Sequence, residues 1–72
     1  MAEELRPESA FGLKGAYDTI WHIAAAQRWA DSQLVGHRTY CGRNYPEPDS
    51  RADLLGLTDV CSDCAAQVAR PH

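Results

Sequence analysis

Three cysteines lie in the second half of the chain: Cys41 stands alone, whereas Cys61 and Cys64 form a Cys-x2-Cys pair. Two thiolates separated by two residues can hold one metal ion from a single tight turn. Gly42 allows a positive φ directly after Cys41, which keeps backbone N–H groups close to the sulfur. Because Zn²⁺ in structural sites takes four ligands in a tetrahedron, this pattern predicts a zinc site with three thiolates and one further ligand.

Two histidines are candidates for the fourth ligand. His37 lies four positions before Cys41, which is an ordinary short ligand spacing. His22 is remote in sequence, but it lies between Trp21 and Ile23. A histidine in such an apolar setting is usually either a hydrogen-bonded core residue or a ligand. The residue types and spacings alone therefore leave both histidines open.

The cysteines also have other possible uses. They could be three ordinary small buried residues, or Cys61 and Cys64 could form a redox pair, although a thioredoxin-type pair needs a βαβ context that this chain is too short to hold. A catalytic zinc would need an open coordination position, and three thiolates would weaken its Lewis acidity. The sequence contains no P-loop and no nucleophile elbow. We therefore predict no catalytic residues and expect a protein that is not an enzyme.

The length of 72 residues limits the chain to one domain. Chains this short bury a small share of their surface and often need a metal, disulfides or a partner. Residues 1–10 are predicted to be a flexible acidic arm, and residues 11–72 to be the zinc-binding domain. Residues 43–53 carry two prolines and several charges, which predicts an exposed loop.

The sequence predicts only some of the helices and strands that hold the cysteines in place. Residues 17–29 carry apolar side chains at helical spacing, but they also contain a run of β-branched and aromatic residues, so helix and strand both stay open. Residues 37–40 predict a short strand that leads into the turn at Cys41, and residues 51–55 predict a single helical turn. A helix is expected from Cys64, with Ser62 or Asp63 as its cap and Pro71 as its stop.

Three segments together resemble small zinc-finger-like proteins of actinobacteria and their phages. They are Trp21-His22-Ile23, Thr39-Tyr40-Cys41-Gly42-Arg43 and Val60-Cys61-Ser62-Asp63-Cys64. The resemblance implies His22, Cys41, Cys61 and Cys64 as the ligands, with His37 as the alternative fourth ligand. It also implies a small α+β module that zinc stabilises, similar to a zinc ribbon or treble clef, with a short β-hairpin and a C-terminal helix. It implies no reaction.

The charge and the aromatic residues bear on the partner. A formal charge of −3 argues against wholesale binding to a nucleic acid backbone. Trp29 is the best candidate for an anchor to a protein partner, together with Arg28, Arg38 and Arg43, because interface hot spots favour Trp, Tyr and Arg. We expect a regulatory or adaptor protein. The alternatives are a nucleic-acid-binding zinc finger and a small redox or metal-handling protein, and no small-molecule substrate is evident.

The sequence also carries an expectation about the compartment. No segment approaches the length of a membrane span, and the N-terminus lacks the basic and apolar regions of a secretory signal. An odd number of cysteines fits reduced thiols better than a disulfide framework. We therefore expect a cytoplasmic protein.

Overall fold

The computed structural model describes residues 3–69, and this part of the chain forms an antiparallel sheet followed by one helix. The elements in chain order are β1 (Glu4–Pro7), β2 (Gly12–Lys14), β3 (His22–Ala30), β4 (Gln33–Thr39), β5 (Asn44–Tyr45), β6 (Ser50–Ala52) and α1 (Ser62–Ala69). Within the described residues, no helix is long and apolar enough to cross a membrane. A sheet followed by a helix agrees with the predicted α+β class, but the sheet has six strands where the sequence predicted a short β-hairpin.

The long strand β3 organises the sheet. Its strand order is β5-β4-β3-β2-β6, and β1 pairs with β3 outside this path. β4 runs along one edge of β3, while β1 and β2 share the other edge, at residues 26–29 and 22–23 of β3. Both edges of β3 are therefore occupied, and its first residue, His22, pairs with Leu13 of β2.

The segment left open between helix and strand forms a strand from His22 to Ala30. Its alanines favour a helix locally, but the neighbouring strands satisfy its backbone hydrogen bonds on both sides, and such pairing outweighs a weak local preference. β3 and β4 are joined by Asp31 and Ser32, which both have positive φ. This matches a two-residue type I′ turn, whose usual Asn-Gly signature is absent here.

The first residues of the chain take part in the sheet. The sequence predicts a flexible acidic arm over residues 1–10, whereas residues 4–7 form β1 and pair with β3; residues 1 and 2 lie outside the described part. The arginine of the Arg28–Glu3 ion pair lies on β3, and Glu8 contacts the buried His37. The acidic residues that suggested a solvated tail therefore form specific contacts with the sheet.

The proline-rich loop contains more regular structure than expected. Within residues 43–53 the chain forms β5 and β6, and β6 pairs with β2. The helical turn predicted at residues 51–55 is wrong, because residues 51 and 52 belong to β6 and the turn that follows has Gly56 at a positive φ. A tight turn follows, closed by a 3.1 Å hydrogen bond from the Leu57 N–H to the Leu54 carbonyl. The difference from the predicted loop arises because β6 pairs with β2. Local composition does not predict a contact between segments so far apart in the sequence.

Helix α1 begins directly after Cys61, two residues before the predicted start. The Cys61 carbonyl accepts the first helical hydrogen bond, from the Ala65 N–H at 3.0 Å. Asp63 lies in the first turn, where a negative charge interacts favourably with the helix dipole. The predicted stop at Pro71 lies outside the described residues. Cys64 thus sits on the first turn of the helix, with its side chain fully buried.

The apolar core is small and is centred on the cysteines. Ile23, Cys61 and Cys64 form its main buried cluster, and partly buried residues pack around them: Ala10, Tyr40, Cys41, Leu54 and Val60. Leu13 and Ala24 are also buried. Large apolar residues such as Tyr17 and Leu55 are almost fully exposed. So little buried apolar surface contributes only modestly to stability, and the cysteine cluster occupies the place of an ordinary core.

Candidate metal centre

Four side chains from separate parts of the chain converge at one end of β3. They are His22, Cys41, Cys61 and Cys64, and their possible ligand atoms all lie within 4.8 Å of one another. His22 begins β3, Cys41 lies in the turn between β4 and β5, and the other two cysteines flank the start of α1. This is a Cys3His cluster compatible with a metal site.

The distances inside the cluster match those of a tetrahedral zinc site. His22 Nδ1 lies 3.4 Å from the Cys41 sulfur and 3.9 Å from the Cys64 sulfur. With Zn–S near 2.3 Å and Zn–N near 2.0–2.1 Å, nitrogen and sulfur ligands of one tetrahedron lie about 3.5–3.6 Å apart. The two observed distances lie on either side of this value. The spacing of these two pairs of atoms is therefore compatible with a zinc ion, which nitrogen and sulfur ligands favour.

Backbone hydrogen bonds between distant segments bring the ligands together. The Cys61 N–H donates to the Trp21 carbonyl at 2.7 Å, and the Trp21 N–H donates to the Asp59 carbonyl at 2.7 Å. These bonds form a short parallel bridge that holds Cys61 beside His22. On the other side, the Tyr40 N–H donates to the Ile23 carbonyl at 3.0 Å, which places Cys41 near the same point.

The turn at Cys41 has the conformation that its glycine predicts. Gly42 has a φ of +92°, in the left-handed region that residues with a Cβ avoid. Its N–H donates to the Thr39 carbonyl at 3.0 Å, and the Thr39 N–H donates to the Arg43 carbonyl at 2.9 Å. The chain therefore reverses tightly around Cys41, with its sulfur directed toward His22.

The protonation properties of the cluster suit a cation. Burial raises the pKa of the Cys64 thiol to about 11. Burial also opposes ionisation of Cys41, but hydrogen bonds, the first of them from Thr39, outweigh it and hold the pKa of Cys41 below its ordinary value. Burial, assisted by the positive charge of Arg43, lowers the pKa of His22 and leaves its nitrogen lone pair available. Three clustered thiolates, two of them buried, would need a compensating positive charge, which a bound metal ion would supply.

His37, the alternative fourth ligand, lies in a different environment. Its Nδ1 is 2.8 Å from a carboxylate oxygen of Glu8, and its Nε2 is 3.3 Å from the Arg51 guanidinium. The ring of Phe11 packs edge-on against it at 5.4 Å. Both nitrogens of His37 thus have partners outside the cysteine cluster, and the structure brings His22, not His37, to the three sulfurs.

The residues predicted to bind a partner are divided between the faces of the sheet. Arg28 is paired with Glu3, and this hydrogen bond, with the charges of Arg28 and Arg38, lowers the pKa of Glu3. Trp29 follows Arg28 in β3 and so points to the opposite face. There Arg6 lies over its ring at 4.4 Å, and its indole N–H donates to Gln27 at 2.9 Å.

Arg43 lies near the cysteine cluster, where it is 3.6 Å from Asp18. The Tyr45 hydroxyl donates to the same carboxylate at 2.6 Å, and the Tyr45 ring lies 5.9 Å from that of His22. The hydrogen bond from Tyr45 is the main cause that lowers the pKa of Asp18, while burial, followed by the bond to Asp18, raises the pKa of Tyr45 to about 12.

Sequence reasoning assigned no role to three side chains that support the cluster: Thr39, Asp18 and Tyr45. Thr39 was visible in the Thr-x-Cys-Gly-Arg segment, where its spacing from Cys41 was the available signal. Asp18 and Tyr45 lie 27 positions apart. No local pattern connects them, so their contact emerges only in the folded chain.

Comparison with known proteins does not place the chain in a family. A scan against protein-family models found no match, and searches of curated proteins and of solved structures found no significant match. The residues of the cluster and their geometry are therefore the basis for a proposed function.

Proposed function

We propose that this chain is a small zinc-binding protein in which a structural Cys3His site holds the fold together and supports an adaptor or regulatory role. The observation that carries the proposal is the convergence of His22, Cys41, Cys61 and Cys64, whose ligand atoms lie within 4.8 Å of one another. Nitrogen and sulfur ligands at tetrahedral spacing favour Zn²⁺ over the hard cations Mg²⁺ and Ca²⁺, which prefer oxygen.

A structural role for the ion agrees with the ligand set and with its position. Four protein ligands complete a tetrahedron and leave no open position for a substrate or a reactive water. Cys61 and Cys64 also belong to the core cluster itself. Since the apolar core is small, ion binding would supply a large part of the free energy of folding, as it does in other small zinc modules.

Elemental analysis of the purified chain tests the metal assignment. We expect one zinc ion per chain, loss of cooperative thermal unfolding after removal of the ion by a strong chelator, and recovery when Zn²⁺ is restored. Thr58→Ser, at an exposed residue outside the cluster, serves as the matched control for cysteine variants. A metal-free chain that unfolds cooperatively, with all three thiols open to alkylation, would contradict the proposal.

The adaptor role is supported by exposed apolar residues on β4, beside Trp29. Leu34, which pairs with Trp29, is 46% exposed, and the next residue, Val35, is 37% exposed. Affinity purification with the tagged chain should recover a protein partner, and Trp29→Ala should weaken this recovery. Tyr17→Ala is the control, because Tyr17 is an almost fully exposed aromatic residue outside the strands of the sheet. Equal recovery with both variants would argue against an anchor at Trp29.

The arrangement of cations disfavours the alternative of a nucleic-acid-binding finger. Base stacking requires free aromatic faces, but a cation of the same chain lies over one face of two rings: Lys14 over Trp21 and Arg51 over Phe11. Strongly salt-dependent retention on DNA or RNA would revive this alternative. A reversible Cys61–Cys64 disulfide of low potential in the metal-free chain would instead support the redox alternative.

A further inference from the structure

The hydroxyl group of Thr39 lies directly beside one of the cluster sulfurs. Thr39 ends β4 and is only 3% exposed, and its Oγ1 is 3.1 Å from the Cys41 sulfur. Thr39 itself is not one of the four possible ligands. Thr39 would therefore act on a bound ion indirectly, through its contact with the Cys41 sulfur.

The surrounding hydrogen bonds determine where the hydroxyl hydrogen goes. The Arg43 N–H donates to Thr39 Oγ1 at 3.0 Å, so this oxygen already acts as an acceptor. Its single hydrogen has two possible acceptors, the Cys41 sulfur at 3.1 Å and the Arg43 carbonyl at 3.4 Å. That carbonyl already accepts the Thr39 N–H at 2.9 Å. The contact with the sulfur is the shorter of the two, and a metal-bound Cys41 thiolate would have no hydrogen of its own to donate, so the Thr39 hydroxyl would then be the donor.

Cys41 is also the ligand that most needs an external restraint. Cys61 and Cys64 are buried members of the core and flank the start of a helix. Cys41 is only half-buried and lies in a turn. The next residue, Gly42, has a positive φ, and a Cβ added there would have no atom of the protein within 4 Å. A hydrogen bond to its sulfur would hold the thiolate in the orientation that a metal ion requires.

We propose that Thr39 is a positioning residue of the metal site: its hydroxyl donates a hydrogen bond to the Cys41 thiolate, orients this ligand and thereby raises the affinity of the site for zinc. This role rests on the proposed structural zinc site, to which Thr39 would contribute without being a ligand. Hydrogen-bonding partners of metal ligands commonly act in this way.

Zinc affinity measured by competition with a chromophoric chelator tests the role of Thr39. Thr39→Val, which keeps the shape but removes the hydroxyl, should weaken binding by about 10- to 100-fold, as is typical for loss of such a partner. Thr39→Ser keeps the hydroxyl and should restore most of the affinity. Thr58→Val, the same change at an exposed threonine, should leave it unchanged. Equal affinity of Thr39→Val and the wild type would overturn the proposal.

Cobalt spectra separate this role from a purely structural one. Loss of the hydrogen bond raises the energy of the sulfur electrons, so the sulfur-to-Co²⁺ charge-transfer band of Thr39→Val should move to longer wavelength. The Thr39→Ser and Thr58→Val variants should keep the wild-type band. A band that does not move, in a Thr39→Val chain that binds Co²⁺, would show that the hydroxyl does not act on the thiolate.

A measurement on the wild type covers the case in which Thr39→Val fails to fold. In the chain loaded with ¹¹³Cd²⁺, the Thr39 hydroxyl proton should exchange slowly and show scalar coupling to the metal through the Cys41 sulfur. Its absence, with the couplings to the cysteine β-protons present, would overturn the proposal. If the wild-type chain binds neither zinc, cobalt nor cadmium, the proposed function itself fails, which is a distinguishable result.

Discussion

His22 and His37 lie on neighbouring strands and are equally buried, each 3% exposed, yet they belong to clusters of opposite character. His22 faces three cysteine sulfurs. His37 lies between the carboxylate of Glu8 and the guanidinium of Arg51. Neither burial nor local sequence distinguishes the two; the chemistry of the groups around each ring does.

The two clusters differ in whether the protein alone balances their charge. Around His37, the negative charge of Glu8 and the positive charge of Arg51 offset each other, and both ring nitrogens have partners. Around His22, ionised cysteines would leave several buried negative charges with no cation among the ligand atoms. The first cluster is complete as a hydrogen-bonded unit, whereas the second would gain stability from an added cation.

The largest effect is expected from Cys64→Ser, at the fully buried ligand. A structural zinc site contributes an apparent free energy of about 10–16 kcal/mol in small zinc modules, more than a core of this size can replace. The variant should therefore lose cooperative thermal unfolding, followed by circular dichroism, while Thr58→Ser unfolds like the wild type. A cooperative thermal transition in Cys64→Ser would show that the His22 cluster, like the His37 cluster, does not need a metal ion for stability.

Alanine substitutions at the two histidines test the comparison directly. His22→Ala should lower the zinc content of the purified chain, since it removes the nitrogen ligand. His37→Ala should keep a full complement of zinc but reduce the free energy of unfolding by about 1.5–3 kcal/mol, the range for a hydrogen bond to a charged group. Elemental analysis and urea unfolding measure both effects. The reverse pattern of zinc content would reassign the fourth ligand to His37.

Acid should release the ion from the His22 cluster. Metal binding requires thiolates, and burial raises the pKa of the Cys64 thiol to about 11, so protons compete with the metal across the neutral range. Zinc affinity should therefore fall as the pH falls, by about tenfold per pH unit for each proton taken up. Chelator competition at several pH values measures the slope. An affinity independent of pH would argue against thiolate ligands.

The smallest effect is expected at Tyr45, beside the cluster but outside it. Tyr45→Phe removes the hydroxyl that donates to Asp18 and should reduce the free energy of unfolding at neutral pH by about 1.5 kcal/mol, the lower end of the range for a hydrogen bond to a charged group. Because the folded-state pKa of Asp18 is lowered, its contribution is present above the ordinary value of 3.8 and is lost as the pH falls through the lowered value.

In Tyr45→Phe the pKa of Asp18 should move back toward 3.8, so this part of the acid dependence should become weaker. Urea unfolding between neutral and acidic pH measures it, with zinc content as the control that the metal site is intact. Equal acid dependence in the variant and the wild type would show that Tyr45 does not set the pKa of Asp18.

Local spacing explains which parts of the site could be predicted. Cys61, Cys64 and the helix beside them lie within one short segment, and the turn at Cys41 is set by the adjacent Gly42. The fourth ligand was different, because residue chemistry left His22 and His37 open and only a resemblance favoured His22. The contact between Thr39 and Cys41 was within reach of the sequence, but the direction of its hydrogen bond depends on the Arg43 N–H.

The local features of this protein follow from its sequence alone: three thiols, a glycine turn, a helix start beside a Cys-x2-Cys pair, and few apolar residues for a core. Other features arise only in the folded chain: residues 22–30 form a strand, the acidic N-terminal residues join the sheet, and His22 lies beside the sulfurs while His37 lies beside Glu8. The physical reason is the range of the interactions. Spacing within a turn is local, whereas hydrogen bonds such as that from Cys61 to Trp21 join segments about forty residues apart and form only when the sheet is assembled.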